Sequence, residues 1–181
     1  MTHPIYYGSI EEHLFLIEQL AHASLSYISE LYNTSETNKQ ESWQFTEFEL
    51  EFSNYEDWLK PIISDYLIQC ATKTRIIQDS SDFATDDEDY YPDREAYEKY
   101  SNIAISHTGN VRFSLREICN KIIHAKKFEL TFLSESEGKY TYWGGSCCLH
   151  GDFRDKPWHV EINLKKWVLA MRFFLENIKQ L

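Results

Sequence analysis

Between Ser9 and Asn33 the apolar residues Ile10, Leu14, Ile17, Leu20, Leu25, Ile28 and Leu31 recur at roughly the spacing of one helix face. Ser9 and Glu12 stand at capping-box separation just ahead of this run. The pattern predicts a long amphipathic helix over 9–33, followed by a polar turn from Asn33 to Gln40. In FTEFELEF (45–52), Phe48, Leu50 and Phe52 alternate with acids, which suits a strand. No partner strand lies nearby in sequence, so a helix is preferred. Asn54 is placed to cap a following turn. Pro61 fits the first turn of a new or kinked helix whose stripe is Ile62, Ile63, Tyr66, Leu67 and Cys70. Residues 79–93 have no apolar period and read as a loop; 94–106 read as a helix broken by HTGN at 107–110.

From Ser114 onward the period changes. Ser114 and Glu117 repeat the capping-box spacing and start a helix near Leu115. FELTFL, KYTYWGGSCCLHG and PWHVEIN are rich in aromatic and β-branched residues and are separated by short turns, which predicts an antiparallel meander. Gly144 and Gly145 mark a bulge in its middle strand. Residues 164–180 read as a closing helix capped by Asn163. The expected fold is therefore α+β and mainly α: a helical bundle (about 1–126), then a small C-terminal β-meander and a closing helix (about 127–181), all in a single domain 1–181.

Composition changes this picture in one respect, charge. The chain of 181 residues carries 18 basic and 29 acidic residues, a formal net charge of −11. Such a field repels nucleic-acid backbones at long range and speeds encounter with a basic protein. The densest acidic run, Asp86, Asp87, Glu88 and Asp89, reads either as a solvated linker or as a surface for that partner. Cys70, Cys119, Cys147 and Cys148 show neither a disulfide framework nor a metal clip. No basic, apolar leader pattern opens the chain, and no apolar stretch approaches the roughly 18 residues needed to span a bilayer. A cytoplasmic protein with reduced thiols, no membrane contact and no cofactor is expected.

Candidate chemistry is sparse. In SLREICNKIIHAKK (114–127), Leu115, Ile118, Cys119 and Ile122 fall on one side of the helix, while Arg116, Asn120 and His124 lie within about 80° of one another on its flank. Arg neutralises phosphate charge, Asn orients it and His exchanges a proton near neutral pH, so the row could converge on an anion. The structural alternative is an Arg–acid surface pair, a local Asn hydrogen bond and a His that closes the helix against its dipole.

CNKIIHA resembles the RNxxxHx core of the HEPN superfamily, with Asn120 and His124 matching. That superfamily of mainly helical proteins includes metal-independent ribonucleases of toxin–antitoxin and antiviral systems. The resemblance implies Arg and His acting on a scissile phosphate, usually across a homodimer. It covers about fifteen residues. Cys119 stands where the family usually has Arg, and Arg116 lies two turns before His124, about 12 Å along the axis.

Cys147, Cys148 and His150 form a CCxH cluster, with His159 expected across a hairpin. A structural zinc site needs four ligands at fixed spacing, and buried Cys is common in sheets, so no metal is assigned. Trp143, Trp158 and Trp167 are expected in the core. Two functions remain. One is a small acidic bacterial protein that binds a basic partner in a toxin–immunity, antitoxin or defence setting. The other is a HEPN-type endoribonuclease or its inactive relative, in which RNA is the substrate and Arg116, Asn120 and His124 are catalytic.

Overall fold

The computed structural model describes residues 6–37, 47–80, 92–109, 111 and 113–179. The order is α1 (Tyr7–Thr37), α2 (Glu47–Ser80), α3 (Pro92–Lys99), β1 (Ala104–Thr108), α4 (Leu115–Ile123), β2 (Lys127–Ser134), β3 (Thr141–Phe153), β4 (Lys156–Asn163) and α5 (Leu164–Lys179). The protein is α+β and mainly α, with a four-stranded antiparallel sheet followed by a closing helix.

Three local expectations are corrected. The turn expected from Asn33 is helical as far as Thr37. Tyr32 explains this: its ring meets Phe48 of α2 and Tyr140 at 5.4 and 5.2 Å, and such packing outweighs the weak helix propensity of the polar residues beyond it. Of the two readings of Pro61, a new helix or a kinked one, the first is overturned: a single 34-residue helix contains Pro61. Leu59, Ile63 and Leu67 are buried on its inner face, while Pro61 itself is exposed, so the carbonyl it frees can bond to water. The helix expected over 94–106 covers only Pro92–Lys99. Asn102 takes a left-handed φ of 60°, and the chain continues as strand β1.

β1 lies within the stretch expected to be helical. It pairs with β4, giving the sheet order β1-β4-β3-β2. The other three strands form the expected meander, and the β3–β4 turn is Arg154–Asp155, both at positive φ, as a two-residue type I′ hairpin requires. β3 is shifted against β2 between Ser146 and Trp143, so Gly144 and Gly145 form the expected bulge. A Cβ on Gly144 would sit 2.5 Å from Leu133 Cδ1, so a larger residue there requires the Leu133 side chain to move. Asn163 caps α5 through its Oδ1, which accepts from Lys166 N–H at 3.1 Å.

The sheet's inner face (Trp143, Cys147, Leu149, Trp158, Val160, Ile162) and the helices share one buried cluster, which includes Trp167 and Phe174. The four cysteines are free. Burial pushes the Cys70 and Cys119 thiols up to about 12 and raises that of Cys147 further. A buried polar contact also joins the layers. Trp143 N–H donates to Ser24 Oγ of α1 at 2.9 Å, and both residues are buried. Replacing Ser24 by Ala leaves that N–H orphaned, and urea titration should show a loss of about 1–3 kcal/mol. A variant as stable as wild type would show that the bond contributes little.

Candidate functional site

α4 is built as its sequence dictates. Ser114 Oγ accepts from Glu117 N–H at 3.2 Å, and Leu115, Ile118, Cys119 and Ile122 are buried. His124 closes the helix, its N–H donating to Asn120 O at 3.0 Å. The three flank residues part company. Arg116 reaches sideways to Asp79 at the end of α2 (Nη2–Oδ1 2.5 Å), where Arg75 also binds the same carboxylate at 3.2 Å. Asn120 Nδ2 donates to Glu117 Oε2 at 3.3 Å. Asn120 and His124 line a groove of about 890 Å³, and Arg116 is not part of its wall.

The groove runs between α4 and the β3–β4 hairpin. Val111, Phe153, Pro157 and Trp158 give it an apolar side, and Gly109 also lines it. Three lysines enter it. Lys121 is only 13% exposed, bonds Glu117 Oε1 at 3.1 Å and lies 4.5 Å from the centre of the Trp158 ring. Lys126 pairs with Asp152. Lys156, from the hairpin, is exposed and has no carboxylate within salt-bridge distance among the described residues. Sequence reasoning picked out Asn120 and His124 but not the lysines, which share the site only once the hairpin folds back on α4.

The CCxH cluster divides by strand parity. Cys147 points into the core. Cys148 and His150 face outward, Cys148 Sγ lying 3.7 Å from Thr131 Oγ1. His159 does lie directly across from His150, and a residue not foreseen, His107, joins them because the β1 bulge between Ser106 and Thr108 turns it to that side. The rings stack in a row: His150–His159 at 4.0 Å and 16°, His159–His107 at 4.6 Å and 32°. The outer two meet carboxylates, His107 with Glu161 at 3.1 Å and His150 with Glu129 at 3.4 Å. Among the described residues no three His, Cys, Asp or Glu side chains are arranged to hold a metal ion. Stacked rings present their faces to one another rather than converging nitrogens.

The acidic run Asp86, Asp87, Glu88 and Asp89 lies outside the described residues. Another acidic surface was not foreseen, the outer face of α2. Leu50, Trp58, Ile68 and Ile76 are exposed there by 58, 71, 47 and 38%. They fall within about 80° of one another on the helix, interleaved with exposed Asp57 and Asp65; toward the C-terminal end of that sector Arg75, at the angle of Asp57, and Arg116 pair with Asp79. Burial first, and then the Asp57 charge beside it, pushes the Glu56 carboxyl above its usual range. The clue in the sequence was Trp58, whose angular position becomes clear only once α2 is known to run unbroken through Pro61.

No protein-family model, curated protein or solved structure matches this chain. Among the described residues no helix is long and apolar enough to cross a membrane.

His159 makes the fold sensitive to acid. Burial first, then the His150 and His107 charges, depress its pKa below 6.5, and Nε2 is buried without a hydrogen-bond partner. The unfolded chain therefore binds the proton more tightly. Stability is full above about 6.5 and declines as the pH falls from there toward the lower folded value. Urea midpoints should drop between about pH 7.5 and 5.5, and His159→Gln should flatten that slope. His13, depressed chiefly by burial and then by Lys73, supplies a remaining part. An equal slope in the variant would remove His159 from the explanation.

Proposed function

We propose that the protein acts by binding a basic protein, as an immunity or antitoxin partner in a defence setting, and that the outer face of α2 is the contact surface. The observation that carries this is Trp58: a large aromatic, 71% exposed, set in an apolar stripe beside exposed Asp57 and Asp65. Aromatic anchors dominate binding energy when a partner covers them. The net charge of −11 adds steering toward a cationic surface. A homodimer through the same stripe would bring Asp57 and Asp65 toward their own copies, so charge favours a different chain of opposite sign. The cytoplasm is the expected compartment, since the cysteines are unpaired.

The second reading, a HEPN-like metal-independent endoribonuclease, draws on Asn120 and His124 side by side in the groove. Weighing against it is Arg116, whose guanidinium is engaged with Asp79. RNA incubated with the protein in EDTA distinguishes the two. Cleavage that disappears in His124→Ala would favour the enzyme; intact RNA favours binding.

The binding reading is tested by mixing the purified protein with basic proteins encoded beside it. A complex should form that salt weakens. Trp58→Ala should loosen it by about 2 kcal/mol or more, roughly thirtyfold, with unchanged circular dichroism. Absence of a complex with every such candidate, or a complex indifferent to Trp58, counts against the proposal.

A further inference from the structure

The groove beside α4 combines features that α2 lacks. It holds three lysines against two carboxylates, in a chain whose overall balance is −11. Both carboxylates are already engaged, Glu117 with Lys121 and Asp152 with Lys126. The surplus cation is Lys156, which lines the groove together with His124. Lys121 is also underused. An ammonium has three N–H donors, Glu117 takes one, and the rest of this mostly buried group lies against the Trp158 ring. Beside these nitrogens stand Val111, Phe153, Pro157 and Trp158, enough apolar surface to cover one small ring or short chain.

We propose that this groove binds a small organic monoanion, a carboxylate carried on a compact apolar body. The carboxylate sits between Lys156 and His124, within reach of Lys121; the body lies against Trp158 and Val111. Local charge decides between anions. The described lining residues leave one uncompensated lysine, which a monoanion neutralises. A phosphate dianion would leave a net negative charge facing Glu117 and Asp152, at a cost that grows as water is excluded. The inference is independent of the α2 surface and requires no chemical step.

The test uses the full chain and three probes of similar size: 4-phenylbutyrate, its alcohol analogue 4-phenylbutanol, and phenyl phosphate, each titrated by amide chemical shift. The carboxylate should bind saturably, shifting the residues around Trp158 and His124, and about tenfold or more tighter than the alcohol or the phosphate. Lys156→Met should reduce its affinity to that of the alcohol, while Lys60→Met, an exposed lysine of α2, should not. His124→Gln should weaken it less than Lys156→Met and serves if the first variant folds poorly. The proposal is overturned by any of three results: no saturation by about 10 mM, equal affinity for carboxylate and alcohol, or equal affinity in wild type and both groove variants. Tighter binding of phenyl phosphate overturns the monoanion assignment.

Discussion

The bond from Trp143 N–H to Ser24 Oγ is the constraint around which the two layers are arranged. The bulge at Gly144 and Gly145 takes Trp143 out of regular register with β2. A buried N–H without a partner costs about as much as a lost hydrogen bond, so something must accept from it. α1 supplies the acceptor from 119 residues away. The bulge also lets the Trp143 indole N–H turn back to Ser146 O at 2.8 Å. Trp143 is thereby fixed in the core, with its backbone and indole nitrogens both satisfied and no exposed surface. β3 is the centre of contact between sheet and helices, so pinning it to α1 sets where β4, and with it the groove, must lie.

Charge is distributed with the same economy. The cations around α4 are divided between two tasks. Arg116 joins Arg75 on Asp79 and ties the end of α2 to α4. Lys121, Lys126 and Lys156 gather with His124 around the groove. Acids and apolar side chains face outward together along α2. An acidic protein thus presents a lysine-lined groove and, elsewhere, exposed apolar and acidic side chains along α2.

Much of this was legible locally. Ser114 with Glu117, Asn163 before α5 and the glycine pair in β3 each act through neighbours a few residues away, and the sequence exposes such pairs directly. The HEPN-like row was legible as three residues on one flank, but helix phase does not say what stands opposite; Asp79, on another helix, drew Arg116 aside. The same limit hid β1. Its five residues are too short for a clear alternation, and their partner strand lies about fifty positions later. Pro61 left a new helix and a kinked one both open, because a proline's cost depends on whether the carbonyl it frees faces water, and only packing shows that. His107 and the α2 stripe were missed for derived reasons: each sits on an element whose course had been misread.

The buried thiols have a consequence for oxidative chemistry. Burial pushes the Cys70 and Cys119 thiols far above their usual range, so very little of either is thiolate at neutral pH, and the surrounding side chains exclude an electrophile from both. Alkylation or oxidation at these sulfurs is therefore gated by opening of the α1–α2–α4 core. Their labelling rate becomes a clock for that opening, and a brief oxidising episode leaves the folded protein unmarked there.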